Sequence, residues 1–246
     1  MSRPPLRIAM WSGPRNMSTT MMRSFGARAD TVCVDEPFYA AYLRLTGLAH
    51  PLTEEIFAAQ SSDPSKVAAD MQNAPDPTAR VFYQKHMTHH MVDGISRDWM
   101  AACRNVFLIR HPARVIVSYQ RKMQQVSLEA IGFPQQLSLF EHAAALEGQV
   151  PLVIDSTDIL RDPPAMMTAL CEALNLDWSD AMLSWPEGAR PEDGAWAPHW
   201  YDAVWRSTGF GPAPGERPHV PPQLADIYAQ ALEIYERLVE HRITLA

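Results

Sequence analysis

Cysteine is scarce in this 246-residue chain, and the three present, Cys33, Cys103 and Cys171, lie far apart with no C-x-x-C spacing. That excludes a disulfide framework and a cysteine-built zinc site, and it fits buried, reduced thiols. Long hydrophobic runs are also missing: no stretch approaches the roughly 20 apolar residues of a membrane-spanning helix. The N-terminal MSRPPLRIAM runs directly into a strand-like segment without a signal-peptide core, so the expected location is cytoplasmic. Positive charge is in deficit, with 21 Lys and Arg against 28 Asp and Glu, a net charge of -7. On that balance neither nucleic acid nor membrane is an expected partner, and any anion site must be local. No internal repeat is visible. What the chain has is the makings of a core, 47% hydrophobic and 20% charged residues, in a length that suits one sizeable α/β domain spanning 1–246.

Short apolar runs alternate with helical patterns along the chain. Ile8 to Trp11, Thr31 to Val34, Val81 to Tyr83, Asn105 to Ile109 and Leu152 to Ile154 read as five buried strands. Helical spacing follows most of them, which predicts a mostly parallel sheet flanked by helices on both faces. Residues 48–78, rich in Ala, Ser, Asp, Gln and Pro, read as a helical insertion over a sheet edge. A helix is expected from about Met91 to Cys103, and a long helical region through Leu128 to Leu146, interrupted at Gly132-Phe133-Pro134. Residues 179–222 are rich in Trp, Pro and Gly and have little periodicity, a length of loop that commonly forms a functional lid. Pro221-Pro222 open a last amphipathic helix.

Two strand-to-helix junctions carry the chemistry. The first, WSGPRNMSTT, passes from β-type residues through Gly13-Pro14-Arg15-Asn16-Met17 into a helix for which Ser18 is a good N-cap. Unpaired amides of a first helical turn, beside Thr19, Thr20 and Arg15, form an anion site suited to phosphate. The spacing G-x-x-x-x-G-K-[ST] is only half met, since Ser18 and Thr19 stand where Gly and Lys would be. The second junction, IRHPARVIVSYQRK, puts Arg110 at a strand end and Ser118 two turns into the next helix. An arginine and a hydroxyl so placed can close on one phosphate from two sides, although Arg110 could instead pair with a core carboxylate such as Asp155.

Together, PRNMSTT and IRHPARVIVSYQRK resemble the two nucleotide-binding motifs of the sulfotransferases, which use 3'-phosphoadenosine 5'-phosphosulfate (PAPS) as sulfuryl donor. In that family the first motif reads roughly P-[KR]-S-G-[ST]-T. The second has R-[ND]-P with a Ser eight residues after the Arg. The resemblance implies a P-loop-like fold, with Arg15, Asn16, Met17, Ser18, Thr19 and Thr20 around the phosphosulfate and Arg110 and Ser118 around the 3'-phosphate. It further implies that Trp205-Arg206-Ser207-Thr208-Gly209-Phe210, a partial echo of the R-K-G-x-x-G-x-W segment, folds over the nucleotide through Arg206, Thr208 and Gly209. Asn16-Met17 and His111 depart from the family pattern. The stretches WSGPRNMSTTMMRSF, DEPFYAAYLRLTG and PEDGAWAPHWY resemble a sulfotransferase-like subgroup, some of whose members carry names referring to aminotransferases. No lysine stands in a setting that argues for pyridoxal phosphate.

The implied activity is transfer of a sulfuryl group to a hydroxyl or amine of a small-molecule acceptor, without a metal. Arg15 is the expected charge stabiliser. Two residues compete for the role of base. Glu36 lies in a D-E-P-F context like the E-P-[LF] of carbohydrate-type sulfotransferases; its other reading is a carboxylate at the N-terminus of the helix that follows. His86 follows Lys85 in a sequence similar to the K-x-H of cytosolic sulfotransferases, one residue short. His86, His89 and His90 also raise a zinc site, for which no matching ligand spacing exists. The acceptor is expected between the insertion and Trp185, Trp196, Trp200, Tyr201 and Trp205. The alternatives are a P-loop kinase using ATP and Mg²⁺, and a non-catalytic nucleotide-binding relative. The sequence leaves monomer and homodimer open.

Overall fold

The computed structural model describes residues 4–123 and 125–245. Strands β1 (Leu6–Ser12), β2 (Thr31–Asp35), β3 (Val81–Met87), β4 (Arg104–Ile109) and β5 (Leu152–Asp155) pair in parallel throughout, in the order β2-β3-β1-β4-β5. Parallel strands covered on both faces read as continuous apolar runs, and the runs in the sequence mark all five. Alternation within each strand divides the core in two. Ala9, Trp11, Phe82 and Phe107 face a cluster with Phe38, Trp99 and Phe140; Ile8, Met10, Tyr83 and Val106 face one with Phe25, Met167 and Leu170.

Helices α1 (Ser18–Gly26), α2 (Tyr39–Thr46), α3 (Thr53–Ala59) and α4 (Pro64–Met71) precede β3, the last two forming the expected insertion. After β4 come α5 (Pro112–Gln120) and α6 (Phe133–Glu147). After β5 come α7 (Ser156–Arg161), α8 (Pro163–Ala173), the short α9 (Ala197–Trp200) and α10 (Asp202–Trp205), and α11 (Ala225–Val239). Prolines at first helical positions and carboxylate or imidazole caps start several of them: Asp63 for α4, Asp162 for α8, and His111 Nδ1 accepting from Ala113 N for α5.

Three local expectations are corrected. The helix expected over Met91 to Cys103 is replaced by 3-10 turns at Thr88–His90 and Asp98–Ala102, because Gly94 at φ 95 breaks any continuous helix between them. The helical region expected from Leu128 begins at Phe133, after Gly132 at φ 77. Ser18 is the first helical residue rather than the cap. That position belongs to Met17, in a left-handed conformation with no side-chain capping bond.

β1 sits at the centre, with the chain leaving it toward β3 and β2 on one side and toward β4 and β5 on the other. In an open α/β sheet, ligands bind at the carboxyl ends of the strands where the order reverses. The register puts Ser12 beside Met87 and Asp35 beside Lys85, so the residues following β1, β2, β3 and β4 converge on one crevice.

Candidate active site

That crevice is a cavity of about 580 Å³. At one end stand Arg15, Asn16, Met17, Ser18, Thr19 and Thr20 from the turn after β1, with Arg110 from the end of β4. The turn is strained: Arg15 has φ 64 and Met17 φ 68, left-handed values that cost a side-chain-bearing residue about 1–2 kcal/mol each. Arg110 Nη1 donates to the Arg15 carbonyl at 2.6 Å, and Arg15 Nε donates to Ser118 Oγ at 3.0 Å. The two guanidinium groups are thus tied into the turn by neutral partners. Among the described residues neither has a carboxylate in ion-pair range; Asp155, the alternative partner of Arg110, accepts instead from Thr157 N and Tyr235 OH. Burial lowers the pKa of both arginines, and for Arg110 the charges of Arg114 and Arg15 add to it. Two partly buried cations beside uncapped helix amides make a strong local anion trap in a chain that is acidic as a whole.

The other end is built around Lys85. Its ammonium donates to Asp35 Oδ1 at 2.7 Å, Glu36 Oε1 at 2.5 Å and the Tyr201 hydroxyl at 2.7 Å, which uses all three of its protons. Tyr201 OH in turn donates to Asp35 Oδ2 at 2.7 Å and accepts from Trp196 Nε1 at 3.2 Å, while Gly194 N donates to Asp35 Oδ2 at 3.1 Å. This network fastens the 179–222 segment to the ends of β2 and β3. Burial drives the Glu36 carboxyl up to about 7, against the opposing pull of the Lys85 cation and with a further push from Asp35. Glu36 also has a left-handed backbone at φ 42, a strain typical of functional positions. Its second oxygen, Oε2, is not used by Lys85 and lies 3.9 Å from His90 Nε2.

Other expected residues lie elsewhere. His86 projects from β3 to the opposite face from Lys85, stacked on Trp11 at 4.5 Å with Phe38 and Trp99 around it and its Nε2 at 3.1 Å from Gln84 Oε1. It does not line the cavity, since adjacent strand residues point to opposite sides. Burial pushes its pKa down to about 3. Arg206, Thr208 and Gly209 do not line the cavity either. Thr208 O accepts from Trp185 N, Gly209 bridges Ser184, and Arg206 is exposed. Trp196, Trp200, Tyr201 and Val204, upstream in the same segment, line it instead, whereas Trp185 and Trp205 do not. His89 and His90 are in the lining. Among the described residues no group of three or more His, Cys, Asp or Glu side chains is arranged to hold a metal ion.

Residues not foreseen complete the pocket. Tyr39, Tyr42 and His50 line it, with Tyr39 OH at 2.7 Å from His50 Nδ1. The helical spacing of FYAAYLRL contained Tyr39 and Tyr42 but gave no hint of which face opens on a cavity. Tyr201 is expected at the acceptor, but its bond to Lys85, 116 positions away, has no local signal in the sequence.

Comparison with known proteins identifies the family and the fold. The chain is 34% identical to branched-chain-amino-acid aminotransferase-like protein 2 of Arabidopsis thaliana over 235 residues, 95% of this chain and 41% of that protein. It is 33% identical to protein 1 of the same name and plant, over 96% of this chain and 42% of that protein. The chain therefore spans about two fifths of the length of these curated relatives. Among solved structures, the sulfotransferase domain of the Synechococcus PCC 7002 olefin synthase superposes with a TM-score of 0.64 at 17% identity, covering 100% of this chain and 98% of that one. The sulfotransferase domain from the curacin biosynthetic pathway gives 0.54 at 14% identity, over 93% and 98%. These likenesses establish the fold. The family profile described as "Sulfotransferase domain" matches residues 6–242, and with nearly the whole chain inside that match the protein belongs to the sulfotransferase domain family.

Proposed function

We propose that this protein transfers a sulfuryl group from PAPS to a hydroxyl or amine of a small-molecule acceptor, with Glu36 as general base and no metal. The observation that carries the reading is one cavity with two carboxylate-free arginines at one end and a carboxyl of raised pKa at the other. Residues fit for the donor are Arg15, Arg110 and Ser118, together with the amides and hydroxyls of Ser18, Thr19 and Thr20. The buried Asn16 Oδ1 and Ser12 Oγ, both without a protein partner, add unused hydrogen-bonding capacity near the same turn. Bound there, PAPS would supply the activated sulfuryl group.

The chain's own groups then have separate tasks. Arg15 and Arg110 offset the charge that grows on a departing phosphate, an effect that is large when donors are preorganised. The Arg110 bond to the Arg15 carbonyl supplies that preorganisation, because it holds the turn in its left-handed shape before anything binds. Glu36 takes the acceptor proton; a base with a pKa near the working pH combines a useful ionised fraction with adequate strength. Lys85 fixes Glu36 Oε1 and leaves Oε2 to act. The aromatic wall of Tyr39, Tyr42, Trp196 and Trp200 offers flat faces to the acceptor and excludes water.

The aminotransferase-like names of the plant relatives do not carry over, since the buried lysine of this cavity, Lys85, is fully engaged by Asp35, Glu36 and Tyr201. The test is transfer of label from [35S]PAPS to a panel of small hydroxyl and amine acceptors, without added metal. Labelled product lost on Glu36→Gln supports the reading. A protein that uses Mg²⁺-ATP in place of PAPS overturns it in favour of a kinase.

A further inference from the structure

The ring of His90 is buried at the acceptor end. It is 2% exposed and packs against two neighbouring tyrosine rings, Tyr39 at 4.5 Å and 19° and Tyr42 at 4.8 Å and 25°, whose centroids are 6.4 Å apart. Burial against these rings restrains the imidazole, so its two nitrogens have distinct surroundings. Nδ1 is buried with no hydrogen-bond partner among the described residues. Nε2 lies 3.9 Å from Glu36 Oε2. A neutral imidazole carries one proton. On Nδ1 that proton would be a buried donor with nothing to receive it, the costlier kind of orphan; on Nε2 it faces the free carboxylate oxygen. Burial first, then the neighbouring His89 and Lys85, keep the ring neutral. His90 thus presents an Nε2–H to the gap in front of Glu36.

A separation of 3.9 Å is too long for a direct hydrogen bond, and it suits one atom placed between the two. An oxygen about 2.8 Å from each fits, with an angle of about 90° between the two bonds. Resting on the sulfotransferase reading above, we propose that His90 is a specificity-determining residue that restricts the acceptor to a hydroxyl by donating Nε2–H to the nucleophilic atom while Glu36 Oε2 accepts its proton.

The restriction follows from counting lone pairs. A hydroxyl oxygen has one proton and two lone pairs. It gives the proton to Glu36 Oε2, uses one lone pair to accept from His90, and keeps the other to form the new O–S bond. The bond from sulfur to the bridging oxygen of the donor's 5'-phosphate breaks, and its electron pair leaves on that oxygen beside Arg15. A neutral amine has a single lone pair, so accepting from His90 leaves none to attack sulfur. An ammonium group has none at all and cannot accept.

Two measurements on the full chain test this. The first is the ¹⁵N imidazole spectrum of His90 at about pH 8, assigned by loss of its signals in His90→Phe, a variant that retains a stackable ring. The expected result is the Nε2–H tautomer, and a proton on Nδ1 overturns the proposal whatever the acceptor proves to be. The second compares matched probes, benzyl alcohol against benzylamine and phenol against aniline, as acceptors of label from PAPS. Wild type is expected to label alcohols or phenols and not their amine partners. His90→Phe should lower kcat/KM for the hydroxyl probe by about ten- to a hundredfold with adenosine 3',5'-bisphosphate binding unchanged, and His90→Gln, which keeps an N–H, should recover part of it. Equal labelling of amines, or an unchanged kcat/KM in His90→Phe, overturns the proposal. Failure of wild type to bind the bisphosphate would instead remove the sulfotransferase reading on which it rests.

Discussion

Lys85 Nζ lies 2.5 Å from Glu36 Oε1, and the same ammonium holds Asp35 at 2.7 Å. All three side chains are buried, so one cation compensates two carboxylates that have no other cationic partner in range among the described residues. Removing one member of a buried ionic group costs far more than the group as a whole contributes, because its partners stay buried and unpaired. Lys85→Met should therefore destabilise the protein by about 3–5 kcal/mol, read from urea unfolding. A loss below about 1 kcal/mol, the worth of an exposed pair, would show that the network is solvated.

The pH dependence of turnover follows from Glu36. A base must be ionised to accept a proton, and burial raises the pKa of this carboxyl to about 7. kcat/KM should rise with pH through a limb near neutrality and level off above it. Glu36→Gln should remove that limb and lower kcat by about 10²- to 10⁴-fold, the usual worth of a general base. A limb that survives in Glu36→Gln would assign it to another group.

The turn after β1 has no room to spare. A methyl group on Gly13 would stand 2.5 Å from the backbone carbonyl oxygen of Ile131, and backbone cannot rotate aside as a side chain can. Gly13→Ala should cost about 1–3 kcal/mol of stability. Because Ala130 and Ser127 of the displaced segment line the cavity, it should also weaken nucleotide binding. Calorimetry and denaturation on one sample read both effects.

Acid should unfold the protein through its histidines. Burial holds His86 and His89 down to about 3 and His90 well below its ordinary value, against 6.5 in the unfolded chain. Below that pH the unfolded state binds protons the folded state refuses, so stability is lost as pH falls through 6.5. Glu36 acts in the opposite sense between 4.5 and about 7, where the folded form keeps a proton that the unfolded form has released. His111, held to about 4, and His50, also lowered, add to the other three histidines, so the histidines outweigh Glu36. Between about pH 7.5 and 5.5 the unfolding free energy should fall by at least about 2 kcal/mol net, at roughly 1.4 kcal/mol per proton per pH unit. His86→Phe should make that loss smaller.

Much of the fold was legible because buried parallel strands are continuous apolar runs, and none of the five needed tertiary information to be seen. Gly94 and Gly132 were visible as residues, but their power to end a helix depends on the positive φ that packing imposes. At the site, local signals reached the two strand-to-helix junctions and the Asp35-Glu36 pair, since each is contiguous in sequence. They did not separate Lys85 from His86, because neighbouring strand residues differ only in which face is the core. They brought Trp196 and Tyr201 to the acceptor end but could not show that Arg206 to Gly209 stay out of the cavity. That outcome rests on hydrogen bonds from Tyr201 and Gly194 to Asp35, between residues 166 and 159 positions apart.

The carboxylate-free arginines are proposed to form the site of a nucleotide 3',5'-bisphosphate. Calorimetric titration with adenosine 3',5'-bisphosphate, on wild type and on Arg110→Ala, tests it most directly. Saturable binding is expected, weakened in Arg110→Ala by about 1.5–3 kcal/mol, the worth of a hydrogen bond to a charged group. No binding by folded wild-type protein, or equal binding by the variant, would contradict it.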